Sequence, residues 1–415
     1  MKICIISNLY PPFVRGGAEL VAAMEAEGLK KALQHVFVIS TRPANIHVHG
    51  QMVWRTGLWT STRDEVGEVE VIRFNPVNLY YYLDDFKFPG FIRLFWHLFD
   101  IFNVFSYGKI KNILLKEKPD IVITHNLMGI SFLIPLLLRR LKIRHIHTLH
   151  DIQLSSPSGL IILGKEKAWI HKFFRAIGYI RLMRALMGSP EAVISPSKFL
   201  LDFYSQDKFF PKSTKYIMPN PIKGLMAIPK KPTDNLELIY LGQIHSAKGV
   251  LELIKNFKQI DEPKIRLHIV GAGPDLSRAQ HLAKSDERII FYGWLPHHEL
   301  GKVLPQMDVV VVPSLCYENS PTVIYESLSL GLPVLAADIG GAAELIREGI
   351  NGWIFPAGDF SVLQNKIKGL YKEKDKIGLM ADNCRRSVAA FGLDNYVNNI
   401  LKIIGQTNND KREKV

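Results

Sequence analysis

Short apolar runs, four to seven residues long, recur along this chain with amphipathic stretches between them, and they do so in two series. The first series falls at residues 2–6, 36–40, 69–74, 121–124, 143–149 and 192–195. A proline-rich stretch follows, from Pro219 and Pro221 to Pro229 and Pro232. The second series falls at 236–241, 265–270, 289–292, 309–312 and 333–336. Continuous apolar runs of this length are strands buried on both faces, and helices between them argue for parallel sheets covered on both sides. The expected fold class is therefore α/β, with two domains joined near 220–233. The chain's 415 residues, 47% of them hydrophobic, suffice for two or three cores. That excludes disordered, collagen-like and small disulfide-stapled architectures. No short-period repeat interrupts the pattern.

Charge separates the two halves. Of the net +13, residues 1–222 hold 28 Lys and Arg against 17 Asp and Glu, and residues 223–415 hold 24 against 22. A basic first half expects an anionic partner, nucleic acid or anionic lipid on charge alone, or else is a solvated basic face. No zinc-finger spacing and no basic–aromatic module accompanies it, so nucleic acid is not expected. Cys4, Cys316 and Cys384 are odd in number and scattered. They build no disulfide framework and fit a reducing, cytoplasmic setting. Residues 1–7 run into a turn rather than a cleavage site, so no signal peptide is expected. The nearest approach to a membrane span, residues 88–107, contains Arg93, His97 and Asp100.

In such sheets ligands bind beyond the carboxyl ends of strands, so the loops after the runs are where chemistry is expected. After 309–312 comes Glu318-Asn319-Ser320-Pro321-Thr322-Val323, with Glu326 one turn further on. Ser320 suits an N-cap and Pro321 the first helical position, which leaves the amides of Thr322 and Val323 for an anion. A carboxylate at Glu326 beside a phosphate is costly unless hydroxyl donors face it, and a ribose diol supplies them. The other reading is a capped surface helix with solvated glutamates. After 236–241 comes Gly242-Gln243, then Lys248-Gly249, where the lysine is a mobile point charge for a phosphate or is simply solvated. After 265–270, Gly271-Ala272-Gly273 lacks the third glycine of a dinucleotide fingerprint and reads as a tight turn. Gly16 and Gly17 in the first loop allow close backbone approach. His150-Asp151 ends the run 143–149, a place suited to polar recognition. Nothing is spaced as a zinc site, and no Walker A, G-x-S-x-G or H-E-x-x-H motif occurs.

Taken in order, these pieces resemble the family 4 glycosyltransferases. The likeness runs from Pro11-Pro12 and Gly16-Gly17 through His150-Asp151, Ser195-Pro196-Ser197, Pro219-Asn220-Pro221, Lys248-Gly249 and Glu318 to Glu326, and on to Gly331-Leu332-Pro333 and Gly340-Gly341 with Glu344. The resemblance implies a GT-B fold, two Rossmann-like domains facing each other across a cleft. It divides the chain into 1–222, an acceptor-side domain, 223–390, a nucleotide-sugar domain, and 391–415, a terminal helix and polar tail that crosses back. It implies transfer of a sugar from a UDP- or GDP-sugar to an acceptor hydroxyl, with retention, without metal and without a cofactor, the nucleotide sugar being a substrate. Lys248 resembles the diphosphate-binding lysine, Glu326 the ribose carboxylate and Glu318 the carboxylate on donor-sugar hydroxyls. Asn319, Ser320, Pro321, Thr322 and Val323 would cradle sugar and phosphates. Gly16 and Gly17 would approach the diphosphate, and His150 the sugar near the acceptor. His150, Lys248 and Glu318 are thus the expected catalytic residues.

One position departs from the family. Gln243 stands where an arginine is usual, which removes a permanent charge and a fork of donors from the leaving-group side. Two other classes of function follow from this and from the fold: a sugar-nucleotide-binding protein without turnover, and a nucleotide-sugar epimerase or phosphorylase. The expected acceptor is a sugar or a lipid-linked sugar. Residues 139–184 hold ten Lys and Arg against Asp151 and Glu166, interleaved with Trp169, Phe173, Phe174, Ile177 and Ile180. That is the composition of a helix lying on an anionic membrane, or of a basic face over core aromatics. The first reading makes the protein peripheral on the cytoplasmic leaflet.

Overall fold

The computed structural model describes residues 1–48, 51–55, 60–166, 178–222 and 233–412. Among these, two compact units separate. The first takes residues 1–159, 178–221 and 393–412, and the second takes 160–166 and 222–392.

The first unit is built on an eight-stranded sheet. Its strands are β1 (Lys2–Ile6), β2 (His35–Thr41), β5 (Ser61–Val66), β6 (Val69–Phe74), β7 (Ile121–Thr124), β8 (Arg144–Thr148), β9 (Ala192–Ser195) and β10 (Thr214–Ile217), in spatial order β10-β9-β8-β7-β1-β2-β6-β5. β3 (Asn45–Val48) and β4 (Gln51–Arg55) pair separately as an antiparallel ribbon. Every neighbour in the main sheet is parallel except β5, which runs antiparallel to β6. Ile3, Ile5, Val38, Ile121, Ile123 and Ile146 are fully buried, as strands covered on both faces require. Strand order reverses between β7 and β1, the kind of point at whose carboxyl ends ligands of such sheets bind.

The second unit carries β11 (Leu236–Leu241), β12 (Ile265–Val270), β13 (Ile289–Gly293), β14 (Val309–Val312), β15 (Val334–Asp338) and β16 (Gly352–Pro356), all parallel, in the order β13-β12-β11-β14-β15-β16. Here the reversal lies between β11 and β14. All eleven strands expected from the apolar runs are present. The three further main-sheet strands, β5, β10 and β16, are edge strands. β5 (STRDEV) and β10 (TKYI) are largely exposed and β16 contains Gly and Pro, so none shows the continuous apolar run of a central strand.

The helix Leu393–Arg412 packs on the helix α1 (Gly17–Lys31). A Cβ at Gly28 would lie 2.5 Å from Val397, so the small residue sets how closely the two helices approach. The Tyr396 hydroxyl donates to Glu25 at 2.9 Å, and Arg144 reaches the Ile404 carbonyl at 2.8 Å. Residues 160–166, read with the first domain in sequence, group instead with the second unit. The Leu163 amide donates to the Leu315 carbonyl at 2.8 Å and the Tyr317 amide to the Ile161 carbonyl at 3.0 Å, so an extended apolar segment satisfies its backbone on a distant loop. Between β6 and β7, the helices α2 (Gly90–Ile101) and α3 (Val104–Glu117) follow one another with only Phe102 and Asn103 between them. Among the described residues, no helix is long and apolar enough to cross a membrane.

Candidate active site

The reversal between β11 and β14 brings together two loops that lie seventy residues apart in sequence. The loop after β11 ends in a single turn, Ser246–Lys248, capped by the His245 ring, whose Nδ1 accepts from the Ala247 amide at 3.0 Å. Gly249 then takes φ +75°, and a Cβ there would stand 1.8 Å from the Pro313 carbonyl oxygen. Only glycine lets the two loops close to this distance. As a result Lys248 Nζ lies 2.7 and 2.9 Å from the two carboxylate oxygens of Glu318. Ser314 Oγ donates to the same carboxylate at 2.6 Å. Burial alone would push the Lys248 amine down, but the Glu318 charge outweighs it and holds the amine above its ordinary value. The Glu318 backbone is fixed in turn, its carbonyl accepting from Gly341 at 2.6 Å, and a Cβ at Gly340 would sit 2.2 Å from that carbonyl.

The helix that follows differs in detail from the sequence expectation. It runs Thr322–Ser329, and Pro321, with ψ 119°, is its N-cap. Ser320 does not cap; its hydroxyl meets the Tyr325 hydroxyl one turn on. The extended ψ of Pro321 keeps it outside the helix and draws Ser320 past the cap position. Asn319, Ser320 and Pro321 connect Glu318 to the helix, and Thr322 and Val323 open its first turn. Glu326 lies on that helix, and burial pushes its carboxyl up to about 7. Gln243 is exposed, and its carbonyl accepts from the Tyr240 hydroxyl at 2.7 Å. Ser314 was missed in sequence because nothing local marks it; it matters through the fold of its loop. Cys316 lies in the same loop, but burial lifts its thiol to about 11, so it is a neutral thiol and not a nucleophile.

In the first unit the loops after β1 and β7 are stitched together. The Asn8 amide donates to the Asn126 carbonyl at 3.0 Å and the Asn8 side chain to the Met128 carbonyl at 2.7 Å. Gly16 and Gly17 open α1, and the Glu19 carboxyl reaches back to accept the Gly16 amide at 2.8 Å. Arg15 stacks over the Tyr82 ring at 4.5 Å and pairs with Asp85 at 3.5 Å. His150, after β8, bonds His125, after β7, at 2.8 Å between ring nitrogens. His125 in turn faces Glu25 at 3.7 Å, which takes the Tyr396 hydroxyl. Burial, and then His147, drive His150 down to about 3, so its ring is neutral at pH 7. It can exchange hydrogen bonds with a sugar hydroxyl but brings no charge to a phosphate. Asp151 is lifted to about 7 by burial, against the amide of Gln153. A cavity of ≈ 20 Å³, about one water in size, is lined by His125, His147, Thr148, His150, Asp151 and Tyr204. His145 and His147 share the Thr124 hydroxyl at 2.7 and 2.8 Å. Among the described residues no three His, Cys, Asp or Glu side chains gather as a metal site would require.

Two α/β units, each built on a mostly or wholly parallel sheet with a reversal of strand order, define a protein of the two-Rossmann type. Comparison with known proteins gives the family. The profile described as Glycosyltransferase Family 4 matches residues 15–223, and that of Glycosyl transferases group 1 matches 223–387. The chain belongs to the family 4 glycosyltransferases and has the GT-B fold. It is similar to the "Uncharacterized 42.6 kDa protein in cps region" of Klebsiella pneumoniae, 25% identical over 84% of this chain and 88% of the other. It is also similar to the lipopolysaccharide 1,6-galactosyltransferase of Escherichia coli, 29% identical over 42% of this chain and 53% of the other. The putative teichuronic acid biosynthesis glycosyltransferase TuaC of Bacillus subtilis is 24% identical over 83% of each. Among solved structures, sucrose-phosphate synthase from Thermosynechococcus elongatus superposes with a TM-score of 0.75 at 19% identity, covering 98% of each chain. Anabaena HepE in complex with UDP-glucose superposes at 0.68 with 17% identity, covering 98% of this chain and all of the other.

Proposed function

We propose that the protein transfers a sugar from a nucleoside-diphosphate donor, UDP- or GDP-linked, to a hydroxyl of a sugar or lipid-linked sugar acceptor. The transfer retains anomeric configuration, needs no metal, and serves the assembly of a polysaccharide or glycolipid on the cytoplasmic side of a membrane. The Lys248–Glu318 pair at the strand reversal carries this reading. A lysine already held by a carboxylate is a poor receptor for a bare anion. A nucleotide sugar suits the pair, because a remaining ammonium N–H donates a hydrogen bond to its diphosphate while its sugar hydroxyls donate to Glu318. Glu326 then takes the ribose diol. The diphosphate leaves, the acceptor hydroxyl enters on the same face, and a leaving phosphate oxygen takes its proton. Orientation and charge stabilisation are the protein's share of catalysis. The names of the relatives, lipopolysaccharide and teichuronic acid enzymes among them, support the same class of product, and HepE supports UDP as a carrier.

Binding of UDP or GDP tests the donor side. Saturation at a hundredfold over Kd adds about 2.7 kcal/mol to the native state, or roughly 5–10 °C for a unit of this size. Hydroxyls donating to Glu326 favour its ionised form, so binding releases a proton and tightens as pH rises from 6 to 8. Glu326→Gln should abolish that slope. Transfer of labelled sugar, unchanged in EDTA, with the anomeric centre of the product read by NMR, tests the rest. No shift with either nucleotide would refute the donor site; activity lost in EDTA and restored by a divalent ion would refute the metal-free mechanism. A second reading, a sugar-nucleotide-binding protein without turnover, is favoured by one observation, the neutral and exposed Gln243.

A further inference from the structure

The sequence stretch that prompted a membrane expectation, 139–184, lies in its aromatic part outside the described residues. A different surface of the first unit carries the stronger observation. The helix α2 is bound to the protein by one well-defined face. Trp96 is buried, its indole donates to the Tyr80 carbonyl at 2.8 Å, and it stacks against the rings of Tyr80 and Tyr82 at 5.5 and 5.8 Å. On the same face the buried Asp100 accepts the Gly129 amide at 2.8 Å. These contacts fix the helix rotation, so the opposite face is set outward by the fold.

That outward face is apolar along its whole length. Phe91, Leu94, Phe95, Leu98, Phe99 and Phe102 are each 40–65% exposed, at the three- and four-residue spacing of one helical stripe. Val104 and Phe105 extend it into the first turn of α3. Eight half-exposed large side chains amount to roughly 700 Å² of apolar surface on the areas usual for such residues, above the few hundred ordinary for a monomer. At the start of the helix the charges pair off, Lys87 with Asp84 at 2.7 Å and Arg93 with Asp85 at 3.7 Å. From residue 101 to 116 there is no acid, the next one, Glu117, is held by Lys2 and Arg63, and Lys111 and Lys116 of α3 are exposed. Twelve residues at 1.5 Å each give α2 a length of roughly 18 Å, too short to cross a bilayer of about 30 Å hydrocarbon. An aromatic stripe, short, fixed outward and continued by the exposed lysines of α3, matches the interfacial plane of an anionic bilayer.

We propose that α2 and the start of α3 form the surface on which this protein docks to an anionic membrane, with the phenylalanine stripe in the headgroup–acyl boundary and the lysines over the phosphates. The surface stands on its own observations; its purpose, to bring the enzyme to a lipid-linked acceptor, rests on the function proposed above. The test uses the full chain with no donor or acceptor present, so its outcome is independent of turnover. Sucrose-loaded vesicles of phosphatidylcholine, with and without 30% phosphatidylglycerol, are sedimented at low and high salt. Partitioning should be at least tenfold stronger with phosphatidylglycerol and should fall several-fold at high salt. Phe95→Ser with Phe99→Ser should lower it at least tenfold while the circular dichroism spectrum and melting temperature stay near wild type. If that variant misfolds, Lys111→Gln with Lys116→Gln, both at exposed positions, should remove most of the preference for the anionic lipid. Three results would overturn the proposal: no sedimentation with anionic vesicles, undiminished binding of the folded variants, or a dimer in sedimentation velocity that the phenylalanine variant dissolves. The last would make the stripe a self-interface.

Discussion

Replacing Glu25 by Gln should flatten part of the dependence of stability on pH. Glu25 is 0% exposed and, among the described residues, its one hydrogen bond is from the Tyr396 hydroxyl, itself 2% exposed, on the helix that closes the first unit. Burial, partly offset by that hydroxyl, lifts the carboxyl from 4.5 to about 7. The native state therefore binds more protons than the unfolded chain between these two values. The stability this group contributes is present in full below 4.5 and is lost as pH rises through 7. The loss is on the order of 3 kcal/mol by the linkage of pKa to free energy. Buried neutral histidines nearby act with the opposite sign. His125, His145, His147 and His150 are all pushed down by burial, so their contribution is present above 6.5 and is lost as pH falls. The wild-type profile is the sum of these, and only the difference between variant and wild type isolates Glu25. That difference should rise in favour of Glu25→Gln by about 2–3 kcal/mol between pH 5 and 8. Urea unfolding at five pH values measures it. The relevant transition is the one that Tyr396→Phe moves, since loss of that buried donor should cost about 1–3 kcal/mol. A difference independent of pH, or falling as pH rises, would show that the carboxyl is ionised in the native state and that the burial argument is wrong.

Two further outcomes follow from the candidate site. Gly249→Ala forces φ +75° on a residue with a Cβ and drives that carbon into the Pro313 carbonyl. A loss of about 2 kcal/mol or more, together with weaker nucleotide binding, is expected by urea unfolding and titration, while Gly378→Ala, with nothing within 4 Å, should be near neutral. On the proposed function, Gln243→Arg would put a charged fork beside the leaving diphosphate; kcat should then be preserved or rise by up to roughly tenfold, and a large fall would give Gln243 a role of its own.

Much of the fold was legible in the sequence because its signals are local. A strand buried on both faces must be apolar residue after residue, so β1, β7, β11 and β14 announced themselves, and the prolines from 219 to 232 marked the junction. Edge strands such as β5 and β10 escaped because solvent on one side removes that constraint. The site was legible as parts: Lys248-Gly249, Glu318 and Glu326 each follow a strand, where loops of parallel sheets face ligands. Their meeting was not. Whether Lys248 reaches Glu318 depends on β11 lying beside β14 and on a glycine that lets one loop touch another's carbonyl, and neither is encoded within a single segment. The same holds for the chain of contacts from His150 through His125 and Glu25 to Tyr396, which joins residues 371 positions apart through the packing of the last helix on α1. The sequence by itself determined which segments must be buried and which residue types stand at strand ends. The tertiary structure alone decided partners, because pairing in a parallel sheet is a choice among distant segments made by the total burial it achieves. It likewise decided protonation, because a carboxyl or imidazole keeps its ordinary pKa until packing removes its water, as it has at Glu25, His150 and Glu326.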